Sequence, residues 1–201
     1  MKTIRGFFLV CLLPVFCSAF APPALRPVES KPVSLGGLEF SAITQDEWKM
    51  LEIPYPEKAS AILQLRIANK TNAPVWFPTF DTIRPVLTDS KGTKMVFGGG
   101  RDGTRVTPNI LIPPGKDYCY SLSAMVGKSR DGKGAELVIR DDTGMWFTAP
   151  IISGEYQIGY HLQPPHLDPK GEIKMDAPLW VADGDTESVR FQIVHFKANG
   201  K

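Results

Sequence analysis

The sequence predicts an all-β protein: an immunoglobulin-like sandwich of two antiparallel sheets with little helix. Three observations carry that prediction. Eight or more short apolar–polar alternating segments run along the chain, separated by Gly, Pro, Asn and Asp turn signals. No segment keeps a 3.6-residue apolar period over three turns. The chain closes with a Ser153-Gly154 turn, a Tyr-rich strand and a last alternating strand, the order in which a sandwich of this kind ends.

The elements follow in order. Lys2 and Arg5 precede an uncharged apolar run, Gly6 to Phe16, and small residues around Cys17-Ser18-Ala19. That is the three-part plan of a secretory signal peptide over residues 1–19, cut after Ala19. Cutting after Ala21 would leave Pro22 beside the scissile bond. Pro14-Val15-Phe16 lacks the small residue that precedes a lipidated Cys17. No later stretch is long and apolar enough to span a bilayer. The expectation is an exported protein: periplasmic, cell-surface or secreted.

Residues 20–36 carry four prolines and read as an extended linker, with one domain over residues 37–201. Leu38 to Ile43 alternates as a half-buried strand. Thr44 with Glu47 three residues on suggests a capping box and a short helical turn, ended by Pro54 and Pro56. Ala61, Leu63, Leu65 and Ile67 line one face of the clearest strand, which stops at the turn Asn69–Pro74. Val75–Phe77 and Ile83–Thr88 are further strands, and Pro85 assigns the second to an edge. Asn109–Ile112, Tyr118–Ala124, Leu137–Ile139, Glu155–His161 and Val189–Ile193 complete the set.

Composition limits the function. The net charge is +2, from 23 basic and 21 acidic residues, and no Lys/Arg run exceeds a pair. Nucleic-acid binding needs a basic stripe to displace phosphate counterions, so it is set aside. Of three cysteines, Cys11 and Cys17 fall in the signal peptide. Cys119 then has no partner in the chain and reads as a buried, inert thiol, with an intermolecular bridge as the alternative.

The stretch Leu65 to Val75, with Ile112-Pro113-Pro114-Gly115 and Ser153-Gly154-Glu155-Tyr156, resembles the strand–turn–strand opening and closing turns of bacterial immunoglobulin-like modules. Its layout is similar to the bacterial intracellular proteinase inhibitor family, and closer to exported bacterial β-sandwich proteins. The resemblance covers roughly residues 38–196 and implies a non-enzymatic sandwich. No inhibitory residue carries over, because none matches one to one.

Chemical motifs are few. Gly98-Gly99-Gly100-Arg101-Asp102-Gly103 matches G-x-G-x-x-G, but a dinucleotide site needs a helix to start there. Thr104 to Pro108 is β-branched and ends in proline, so a hairpin loop is expected. Three glycines let a ligand approach the backbone, and Arg101 and Arg105 offer partners for an anion. Asp81, Asp89, Asp102, Asp141 and Asp142 lie at turns without the spacing of a calcium loop. His161, His166 and His195 form no zinc-ligand spacing, and no G-x-S-x-G elbow is present. Asn69-Lys70-Thr71 matches a glycosylation sequon. Trp146 and Trp180 sit in short segments beside turns and are the aromatics expected to be exposed.

The expected function is therefore a non-catalytic binding or structural module that needs no cofactor. Its partner is an envelope or extracellular protein, met at Gly99, Gly100, Arg101, Asp102, Arg105, Trp146 and Trp180. The alternatives are a carbohydrate-binding module using the aromatics, and a secreted hydrolase or protease inhibitor.

Overall fold

The computed structural model describes residues 26–51, 59–101, 109–129, 134–142, 144–165 and 176–196. The signal peptide, Asp102, Arg105 and His166 lie outside the described residues. Strands β1 (Pro27–Glu29), β2 (Val33–Leu35), β3 (Leu38–Gln45), β4 (Glu47–Leu51) and β5 (Ala59–Asn69) come first. Then follow β6 (Val75–Phe77), β7 (Ile83–Asp89), β8 (Gly98–Arg101), β9 (Ile110–Ile112) and β10 (Asp117–Lys128). The last are β11 (Ala135–Arg140), β12 (Gly144–Ile151), β13 (Gly154–Leu162), β14 (Gly184–Asp185) and β15 (Val189–Phe196). No helix occurs among the described residues.

The larger sheet runs β1-β3-β5-β10-β11-β12-β8, with β2 also paired to β3. The second runs β14-β13-β15-β4, with β7 on the other side of β13. A short pair, β6-β9, sits apart. All strand pairs are antiparallel except β4 with β15. β3, β5 and β10 face β4, β13 and β15 across a common core.

Alternation builds that core. Phe40, Leu63, Leu65, Ile67, Leu122, Ala124, Val126, Leu137 and Ile139 point inward from the larger sheet. Trp48, Ile83, Leu87, Tyr156, Ile158, Leu162, Phe191 and Ile193 meet them from the second. Tyr156 also fixes the corner before its strand: its hydroxyl donates to the Ile152 carbonyl at 3.1 Å and accepts from the Ile152 N–H at 3.3 Å. The same tyrosine-to-backbone contact marks corners of immunoglobulin-like sandwiches.

Three local expectations change. The first concerns residues 44–51, which form no helical turn. The chain leaves the larger sheet at Gln45 and joins the second as β4, whose Trp48 is 0% exposed. Such a crossing strands backbone groups, and two side chains satisfy them. Thr44 Oγ1 donates to the Ile62 carbonyl at 2.7 Å and accepts from Trp48 Nε1 at 2.8 Å. Gln45 Nε2 donates to the Glu47 carbonyl at 2.7 Å, and Gln45 Oε1 accepts from the Ile62 N–H at 3.2 Å. Thr44 and Glu47 mimic a capping box, but the burial of Trp48 between the sheets decides the conformation.

The second concerns the proline-rich stretch, which enters the sheet before residue 37. Residues 27–29 pair with β3, and 33–35 form a hairpin with it. Gly36 and Gly37 make that hairpin's turn with φ of 58° and 83°. Positive φ at both central residues is what a two-residue turn of this hand requires.

The third concerns Cys119, which is exposed. Tyr120 and Leu122 set the inward phase of β10, so Cys119 points outward, opposite Arg66. The sequon asparagine goes the other way. Asn69 is 0% exposed, and its Nδ2 donates to the Ala73 and Ile112 carbonyls, each at 2.8 Å. Its Oδ1 accepts from the N–H and hydroxyl of Thr71 at 2.9 and 2.7 Å. Asn69 is a turn-closing residue with no amide left for a glycan.

Candidate functional site

The candidate site is a cleft of about 470 Å³ where the chain passes from the second sheet to the larger one. One wall is the corner before β7. Asp81 holds a φ of 57°, a left-handed conformation that Asp tolerates better than most residues. Gln163 ties the corner down, donating from Nε2 to the Asp81 carbonyl at 2.7 Å and to Asp81 Oδ2 at 3.3 Å. Arg84 Nη2 lies 3.5 Å from Asp81 Oδ1, so the cleft's acid and base face each other. Pro85, inward on β7, and half-buried Phe80 complete this wall.

The hairpin after β7 supplies the second wall. Asp89 Oδ1 accepts from the N–H groups of Lys91 and Thr93 at 2.9 and 2.8 Å. Those donors, led by Thr93, hold its carboxyl below the usual carboxylate range. Met95 N–H then bonds the Leu87 carbonyl at 2.8 Å, which delivers Phe97 to the cleft.

β8 and β12 form the third wall. Trp146 lies opposite Gly99 in the pairing, half-buried and packed on the core edge. Gly99 has φ of 139°, and a Cβ there would sit 2.1 Å from the Met145 carbonyl oxygen. Only glycine allows β8 to approach β12 so closely.

Of the seven predicted contact residues, the structure brings Gly99, Gly100 and Trp146 into one cleft. Arg101 ends β8. The expected hairpin loop is, over residues 98–101, an edge strand. Trp180 is not at the surface: it is 2% exposed, its Nε1 donates to the Leu35 carbonyl at 2.9 Å, and it packs on Phe40 and Phe77. Its flanking segment looked like a loop, but its backbone bonds Trp76, which seals the indole inside.

Sequence reasoning missed Arg84 and Phe97 as cleft residues. Their signals were weak: an arginine beside an edge-strand proline, and a phenylalanine at the start of a glycine run. His161 lies opposite Arg84 on β13 but does not line the cleft, and its Nδ1 is 2.8 Å from Asp185 Oδ1. No group of three or more His, Cys, Asp or Glu able to hold a metal ion occurs among the described residues. No helix among them is long and apolar enough to cross a membrane.

A second concavity, about 410 Å³, lies on the outer face of the larger sheet. Its charges are matched internally. Arg66 reaches Asp117 at 2.8 Å and Glu29 at 3.3 Å, and these partners raise its pKa, Asp117 foremost. Lys70 reaches Glu39 at 3.2 Å, and the Ser41 hydroxyl donates to Glu29. Exposed pairs of this kind contribute little and present no unmatched charge to a ligand.

No family model matches the chain, and no curated protein matches it. Among solved structures, a copper-bound variant of FetP from uropathogenic Escherichia coli strain F11 is 15% identical, covering 87% of this chain and 97% of that one, with a TM-score of 0.32. As-isolated FetP of the same strain, expressed in the periplasm of E. coli BL21(DE3), is 14% identical, covering 83% and 95%, with a TM-score of 0.31. Likeness at that level transfers neither fold nor ligand to this chain.

Proposed function

We propose that this chain is a non-catalytic binding domain that works outside the cytoplasm and receives a protein partner in the cleft between β7, β8 and β12. The observation that carries the reading is the lining of that cleft. Three aromatic side chains and bare glycine backbone surround a single acid–base pair. Apolar walls with a few placed polar groups are the usual make-up of a binding pocket. Catalysis asks for a nucleophile or a poised acid, and here Asp81 is occupied by Arg84 and Gln163. Export rests on the charged, apolar and small-residue plan of residues 1–19.

A second reading follows from Trp146 itself. A half-buried indole beside Asp81 and Arg84 also suits a sugar ring, which stacks on the aromatic face and bonds the polar pair. One comparison separates the two. Peptides selected from a random display library and a glycan array are each offered to the purified protein and to Trp146→Ala and Phe97→Ala. We expect peptide binding that both substitutions weaken about tenfold or more, as for a buried aromatic anchor. Each variant should lose only about 1–2 kcal/mol of stability, since both side chains are half-buried. Glycan binding lost in both variants would replace the protein partner with a sugar. Binding that ignores both substitutions would remove the cleft from the function.

A further inference from the structure

We infer that the partner enters as an extended segment that adds to β8 as a further strand, sending alternate side chains into the cleft. The inference rests on the cleft being the binding site. β8 ends its sheet: β12 pairs with one side of it, and no described strand pairs with the other. Gly98, Gly99 and Gly100 are all exposed. An open edge presents backbone N–H and C=O groups that an extended chain satisfies with its own.

Three other edge strands are blunted. β1 carries Pro27 and Glu29, β7 carries Arg84 and Pro85, and β4 carries Glu47 and Lys49. Proline removes a ladder donor, and an edge charge resists a second chain. β8 has neither over its first three residues, which are glycines. No side chain there stands between an incoming backbone and the edge.

Position supplies the rest. Gly99 and Gly100 belong both to the open edge and to the cleft lining. Successive residues of a strand point to opposite faces, so every second residue of an added strand faces Trp146, Phe80 and Phe97. The partner is thereby a segment with apolar or aromatic residues at alternate positions and no proline among its bonding residues.

The test uses a peptide selected by display on the purified protein and two N-methylated versions of it. Each version carries methyl groups on alternate amides, one in each phase. Strand addition predicts that one phase weakens binding about tenfold or more, through lost backbone bonds, while the other leaves it within about twofold. It also predicts slowed amide exchange at residues 98–101 in the complex. Binding that is lost in Trp146→Ala but equal for both phases, with β8 exchange unchanged, overturns strand addition and leaves the cleft as the site. Failure to select any peptide that distinguishes the protein from Trp146→Ala overturns the protein-partner reading itself.

Discussion

Two aromatic clusters sit in this molecule with opposite fates. Phe40, Phe77 and Trp180 pack at tilted to edge-on angles, with ring centroids 5.3–5.7 Å apart, fully inside the core. Phe80, Phe97 and Trp146 line an open cleft and stay half-buried. The residue types are the same, so composition does not explain the difference. Backbone does. At the closed cluster, Trp76 N–H bonds the Pro178 carbonyl at 2.8 Å and Trp180 N–H bonds the Trp76 carbonyl at 2.9 Å. Those bonds bring one segment across the rings, and the β2–β3 hairpin caps the indole through Leu35. At the cleft the neighbouring strand is β8, whose glycines offer backbone and nothing to cover a ring. An aromatic group becomes core where a hydrogen-bonded segment crosses it, as one does at Trp180.

The sharpest way to test that contrast is to empty the closed cluster. Trp180→Ala removes a side chain that is 2% exposed and leaves a cavity between Phe40 and Phe77. The expected loss is about 3–5 kcal/mol, since transfer and cavity effects add. Urea unfolding measures it. Ligand binding under folding conditions should stay unchanged, in contrast to Trp146→Ala. A loss of only about 1 kcal/mol would mean that the segment over the rings is not tightly held.

A smaller effect is expected from Gly99→Ala, which attacks the open cluster through its wall. The new Cβ would meet the Met145 carbonyl oxygen and the Trp146 backbone, neither of which can swing away. β8 must therefore draw back from β12. The expected loss is about 2–3 kcal/mol, with faster amide exchange confined to β8 and β12. Gly100→Ala is the control, because a Cβ there meets nothing within 4 Å. Equal behaviour of the two variants would show that β8 is not seated as described.

The contrast also explains what the sequence made legible. Period-two alternation located β3, β5, β10, β13 and β15, because each has one buried face that fixes its phase. Turn chemistry located the ends at Asn69 and Asp89, where the side chains bond backbone N–H groups. Cys119 was misplaced by one step of that same alternation. β4 was hidden because Thr44 and Glu47 serve equally as helix cap and as strand crossing until Trp48 finds its burial site. β8 has no side chains to alternate, so no pattern announces a strand. Gly99, Gly100 and Trp146 were legible as candidates, but their meeting with Arg84, Asp81 and Phe97 was not. That cleft is assembled from three separate stretches, residues 80–85, 97–100 and Trp146, and only tertiary structure puts them side by side. Trp180 failed for the converse reason, since the lid over it is a backbone pairing with Trp76 that leaves no sequence pattern.

The smallest effect comes from the core beside the cleft. Tyr160 lies cross-strand from Pro85 on β13, 1% exposed, and its hydroxyl has no hydrogen-bond partner among the described residues. Burial disfavours the phenolate, so its pKa stands well above the ordinary 10.0 in the folded chain. The unfolded chain releases that proton near the ordinary value. Stability from Tyr160 is therefore complete below pH 10 and falls as pH rises above it, by up to about 1.4 kcal/mol per pH unit. Tyr160→Phe removes both the orphaned hydroxyl and the titration. At pH 7 it should be neutral or stabilising by about 1 kcal/mol, because a buried unmade bond is itself a penalty. Above pH 10 its advantage should widen steadily. Urea unfolding of both proteins at neutral and alkaline pH decides the matter. Parallel stability curves would mean that the hydroxyl reaches a partner, and a destabilised variant at pH 7 would mean that the partner matters.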